Sequence, residues 1–152
     1  MSIDSESQAK TRALKILGSR ELSGREMEKR LIEKGESAEV AQETVEWLVE
    51  IGYINDEKYA GQIVRHYAAK GYGIHRMKDE LYKRGIPREL WDDALEEMPD
   101  MNDAAVEFLE KKLRGSREPD DIRRASDALG RRGFGYDDIN SAVRRYMENV
   151  DG

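Results

Sequence analysis

One nine-residue pattern occurs three times in this chain, and it constrains the fold more tightly than any other feature. The copies read MEKRLIEKG over residues 27–35, MKDELYKRG over 77–85 and ASDALGRRG over 125–133, and their glycines stand 50 and then 48 residues apart. Each copy sets two apolar residues four apart: Met27 and Leu31, Met77 and Leu81, Ala125 and Leu129. That spacing puts both on one face of a helix. A cation then precedes glycine, which suits the negative end of a helix and its left-handed cap.

The first copy carries its own start signal, because Ser23 followed by Glu26 forms a capping box. A second helix is expected after each glycine. Its apolar positions are Val40, Val45 and Leu48, then Leu90, Ala94, Leu95 and Met98, then Ile139, Val143 and Met147. Ser37 suits an N-cap there and Pro87 a first helical position. Another helix is expected before each motif, on Ala13, Leu14 and Leu17, on Tyr59, Ala60, Ile63, Val64 and Tyr67, and on Ala105, Phe108, Leu109 and Leu113.

The expectation is therefore an all-α chain of three tandem three-helix repeats, with nine helices and no strand. The repeats span 1–55 (with a short tail over 1–8), 56–100 and 101–152. Each is about 45 to 50 residues long, a length that buries its apolar face only against neighbours. Asn55 is expected to cap the first helix of the second repeat. The stretch 114–119, RGSREP, is expected to be the loosest turn.

Charge is sorted by helix. Residues 23–35 hold four cations against three anions and 74–85 hold four against two, whereas 36–50 hold five glutamates and no cation, and 86–100 hold six acids against Arg88. Arg76 and Lys83 lie seven apart on one helix face, as do Arg124 and Arg131, so a basic stripe is expected on the second and third repeats. Helical salt-bridge spacing offers these residues a plainer role, as in Arg76 with Glu80, Asp79 with Lys83 and Asp127 with Arg131. Lys34, Arg84 and Arg132 each precede a capping glycine, where the helix dipole alone favours a cation. Trp47 and Trp91 are expected to pack between helices.

The chain has 152 residues, no cysteine and two histidines, so disulfides, thiolate catalysis and cysteine-rich zinc sites are excluded. His66 and His75 lack ligand-spaced partners, and no metal or cofactor is expected. Gly71, Tyr72 and Gly73 form a G-x-G fragment that reads as a helix-to-helix turn rather than a phosphate loop. No nucleophile, base and orienter assemble from spacing, so an enzyme is not expected. The first six residues lack the features of a secretion signal, no apolar run is long enough for a membrane span, and the cytosol is the expected compartment. A net charge of −6 disfavours a stand-alone duplex binder and favours a protein partner.

Two segments carry a family resemblance: GYINDEKYA over 52–60 and GIHRMKDELYKRGI over 73–86. In this order and spacing they resemble the RecX family, regulatory proteins of the bacterial recombinase RecA. The family pattern usually has Phe where Tyr59 stands, Ile where Met77 stands and Lys where Arg84 stands. The likeness extends over about residues 9–149. It implies an elongated, curved body that binds RecA and the groove of the RecA–single-stranded DNA filament, bridging protomers and inhibiting ATP hydrolysis, strand exchange and repressor self-cleavage during DNA repair and the SOS response. It also implies weak DNA contact; no membrane partner is expected from the hydropathy, and the chain is expected to be a monomer. By matching positions, the partner-binding residues are Arg65, Lys70, Tyr72, Arg76, Lys83 and Arg84, extended by Arg124 and Arg131, with Asn55 and Asp56 as structural caps. A direct nucleic-acid-binding helical module and a helix-docking scaffold are the competing readings.

Overall fold

The structure, a computed structural model, describes residues 3–152, with side chains from residue 5. Met1 and Ser2, within the expected tail and the stretch read for a secretion signal, lie outside the described residues. Nine α-helices and no strand occur among the described residues: α1 (Ile3–Leu17), α2 (Gly24–Glu33), α3 (Ala38–Glu50), α4 (Asp56–Ala69), α5 (Ile74–Lys83), α6 (Trp91–Glu96), α7 (Asn102–Leu113), α8 (Pro119–Arg131) and α9 (Tyr136–Asp151). This is an all-α helical-repeat fold.

The start signals act as their chemistry dictates. The Ser23 hydroxyl accepts from the Glu26 amide at 3.0 Å while the Glu26 carboxylate accepts from the Ser23 amide at 3.0 Å. Ser37 accepts from the Val40 amide, and Asn55 from the Lys58 amide. Pro87 departs from expectation. It stands before a single 3-10 turn, Arg88–Leu90, and the α-helix starts only at Trp91. The Trp91 indole N–H donates to the Ile86 carbonyl at 3.0 Å, fixing that short approach. The turn at 114–119 is tied rather than loose: Tyr146 donates its hydroxyl to the Ser116 carbonyl, and Ser116 donates to Asp121.

By packing, the chain forms two compact units, residues up to 62 with 81–92, and residues 63–80 with 93–152. In the first, α1, α2 and α3 pack on one another around Ala13, Ile16, Leu22, Met27, Leu31, Ala41, Leu48 and Ile54. In the second, α7, α8 and α9 do the same around Leu109, Leu129, Ala142 and Tyr146. All six apolar residues of the repeated motif are at most 1% exposed, each Leu or Met stabilising by about 1.5 to 3 kcal/mol. Leu14 was expected in the core and is instead 40% exposed, because α1 turns Ala9, Ala13 and Ile16 inward. On α9 the fully buried residues are Ala142 and Tyr146, while Ile139, Val143 and Met147 flank them half-buried.

Candidate functional site

Each compact unit contains the same kind of joint, in which the capped carboxyl end of one motif helix meets the amino end of another. In the first unit, Ser23, wholly buried, donates its hydroxyl to the Arg84 carbonyl, and the Gly24 amide donates to Asp56 Oδ1 at 2.9 Å. Arg84 Nη1 donates to the Tyr59 hydroxyl at 2.9 Å. Asp56 thus ties α2, whereas Asn55 is the cap of α4. In the second unit, the Gly73 amide donates to the Arg132 carbonyl at 3.0 Å and the His75 amide to the Gly133 carbonyl at 2.9 Å. Backbone comes this close only because both partners lack side chains: a Cβ on Gly73 would stand 2.6 Å from the Gly133 carbonyl carbon.

The first and last copies of the motif have their free ends covered by side chains. The Lys34 carbonyl accepts from Arg12 Nη1, which also pairs with Glu36 at 3.1 Å. At the amino end of α8, Asp121 accepts from Ser116 and from Arg124 Nη2 at 2.5 Å. These bonds hold the Asp121 carboxyl below the usual aspartate range, Ser116 first and Arg124 second.

The expected partner-binding residues fall into distinct settings. Tyr72 and Arg76 come together in the second unit. The Arg76 guanidinium carbon lies 5.1 Å from the Tyr67 ring and 4.6 Å from the Tyr72 ring, its Nε stands 3.4 Å from Glu80, and its side chain is 35% exposed. Burial opposes its charge, but the Tyr67 hydrogen bond and the Glu80 carboxylate outweigh burial, and its pKa is raised above the ordinary guanidinium value. Lys70 and Arg65, also in this unit, are exposed, and Arg65 pairs with Glu97 at 2.8 Å. Arg124 and Arg131 are exposed on α8. Lys83 and Arg84 belong to the first unit, Lys83 exposed and Arg84 half-buried in the joint. Arg76 and Lys83 share α5, yet only Lys83 offers an open charge.

Sequence reasoning passed over Arg132 as a helix-end cation. Its Nη2 donates to the Lys70 carbonyl at 2.8 Å, and its guanidinium carbon lies 4.4 Å from the Tyr72 ring and 5.4 Å from the Phe108 ring. Tyr67, Arg76, Tyr72, Arg132 and Phe108 therefore alternate ring and cation in one continuous ladder. No signal in a single motif copy distinguishes Arg132 from Lys34. Among the described residues, no group of three or more acidic or histidine side chains is placed to hold a metal, and no helix is long and apolar enough to cross a membrane.

Residues 9–48 match the model of the RecX first three-helix domain, and residues 55–95 that of the RecX second three-helix domain. The chain belongs to the RecX family. A regulatory protein RecX of Xanthomonas axonopodis pv. citri (strain 306) is 32% identical over 142 residues, covering 91% of this chain and 87% of that protein. The regulatory protein RecX of Stenotrophomonas maltophilia (strain R551-3) is 34% identical over 137 residues, covering 88% and 83%. In fold, the chain is similar to the crystal structure of RecX from Lactobacillus salivarius, with a TM-score of 0.90, 24% identity and coverage of 97% and 99%. A second RecX crystal structure gives a TM-score of 0.80 at 22% identity, covering 96% of this chain and 72% of that one. Membership of RecX gives the chain a regulatory role.

Proposed function

We propose that this RecX-family chain binds the recombinase RecA and its filament on single-stranded DNA, and inhibits the filament's ATPase, recombinase and coprotease activities. The observation that carries the reading is family membership across both three-helix domain models, together with near full-length relatives named as regulatory proteins. Binding alone suffices for inhibition, provided affinity differs between filament states.

The contact surface in this reading is built on three tandem repeats with boundaries near residues 55 and 100. In the first unit Lys83 supplies an open cation and Arg84 holds the joint in shape; in the second, Lys70 and Arg131 supply open cations, Arg65 and Arg124 join them once Glu97 and Asp121 are displaced, and Tyr72 and Arg76 hold the ladder in shape. The chain acts as a monomer, in the cytoplasm, without catalysis of its own. The test is RecA ATP hydrolysis on single-stranded DNA, titrated with this protein. Inhibition below one protein per RecA protomer supports the reading, and an unchanged rate at stoichiometric excess overturns it.

A further inference from the structure

Outside the joints, the second unit holds a cavity of about 350 Å³ between the end of α4, α7 and the end of α8. Lys70, Lys111 and Arg132 line it, with Phe108, Gly71, Glu107 and alanines of α4 and α7. Three cations face one carboxylate, and Lys111 already holds that Glu107 carboxylate at 3.0 Å. In a chain of net charge −6 this concentration of cations is local.

The end of a helix ordinarily repels an anion, since its last carbonyls point outward. Here Arg132 covers the end of α4 by donating from Nη2 to the Lys70 carbonyl, and the Tyr72 ring, 4.4 Å from its guanidinium carbon, holds the group on a second side. A guanidinium held in this way, with two flexible ammonium groups nearby, is chemistry suited to phosphate oxygens. Phe108 and the alanine walls add an apolar surface of the kind on which a base packs. The volume lies within the range of sites for small organic ligands, about 300 to 1,000 Å³, and exceeds what a carboxylate side chain fills.

We infer that this cavity is a nucleoside phosphate site, receiving one nucleotide either free or as a member of a single strand. Phosphate oxygens bind Lys70, Lys111 and Arg132, and the base lies against Phe108. The inference goes beyond regulation of a recombinase, since the site works without one.

The test uses the intact protein and no recombinase. Thymidine 5′-monophosphate, thymidine, inorganic phosphate and polyglutamate are added in turn to isotopically labelled protein, and a short fluorescent oligo-dT is titrated at several salt concentrations. The monophosphate should shift the amide signals of Gly71, Phe108 and Lys111 at lower concentration than thymidine or phosphate. Oligo-dT binding should weaken about tenfold in the Lys70→Ala, Lys111→Ala double variant, and the salt slope should fall by about 1.4 for two lost phosphate contacts. Phe108→Leu, which keeps apolar volume, should weaken binding while leaving the salt slope alone. The exposed Lys29→Ala, Lys58→Ala pair is the control and should change neither. Response to the monophosphate shows that a free nucleotide suffices, and response to the strand alone assigns the site to nucleic acid. Unmoved amides with both ligands overturn the proposal, as do equal shifts from polyglutamate, which would make the cavity an acidic-peptide site. Because RecA is absent, failure here leaves the regulatory reading standing, and failure of the ATPase test leaves this one standing.

Discussion

Gly133 lies so close under Arg76 that a Cβ added to it would stand 2.5 Å from the Arg76 amide nitrogen. Gly133 also has a φ of +99°, whereas Gly35, at the same motif position with φ +105°, has nothing within 4 Å of where its Cβ would be. The two glycines thus separate backbone strain from close approach. Gly35→Ala should cost about 1 kcal/mol and Gly133→Ala about 2 to 4 kcal/mol by urea denaturation. Equal costs would show that the second joint yields to a methyl group.

Charge reversal should act differently at the two ends of α5. Arg76→Glu breaks both ring contacts and sets a carboxylate four residues from Glu80, so it should lower stability by about 1 to 3 kcal/mol. Lys83→Glu, at an exposed site, should stay within about 0.5 kcal/mol of the parent while weakening filament binding. Thermal melts paired with RecA–DNA co-sedimentation separate the two, and unchanged binding of the Lys83 variant would remove it from the contact surface.

Ser23→Ala removes the cap of α2 and the donor to the Arg84 carbonyl together. The hydroxyl site is wholly buried, so water cannot replace it, and a loss of about 2 kcal/mol is expected in the unfolding free energy from urea denaturation. Ser37→Ala removes a cap alone and should cost about 1 kcal/mol. If both lose the same amount, the joint bond contributes nothing beyond the cap.

Asp121 gives the expected acid response. Its folded pKa is depressed by Ser116 and Arg124, so its contribution is complete above the ordinary aspartate value of about 3.9 and disappears as pH falls through the lower folded value. The Tm of Asp121→Asn should therefore sit below the parent at neutral pH and converge with it in acid. A gap that persists undiminished at low pH would assign the Asn effect to something other than the charge.

The repeated motif made the core legible in the sequence, because Met27 with Leu31 and its two later copies need only helical spacing to declare a buried face. Ser23, Ser37 and Asn55 were legible as caps for the same local reason. Leu14 and Tyr146 were not, since which side of α1 or α9 faces inward depends on helices elsewhere in the chain. The site was less legible still. Arg132 reaches the carbonyl of Lys70, 62 residues away, and Ser23 reaches Arg84 over 61, separations at which a sequence carries no geometric signal. Arg76 read as a surface charge because its place between Tyr67 and Tyr72 exists only after α4 and α5 have packed.

Both α4 and α5 are divided between the compact units, at Gln62 and Glu80. The boundaries of the amino-acid pattern and those of tight packing therefore fall in different places. Each joint reaches further along the chain than one period of the motif, from Ser23 to Arg84 and from Gly73 to Arg132, whereas the motif glycines stand 50 and 48 residues apart, so a copied segment one period long holds only half of any joint wherever it is cut. A copy added to such an array therefore folds only where its neighbours on both sides supply the missing halves, and a chimaera of two relatives keeps a joint only where both of its halves still match across the splice.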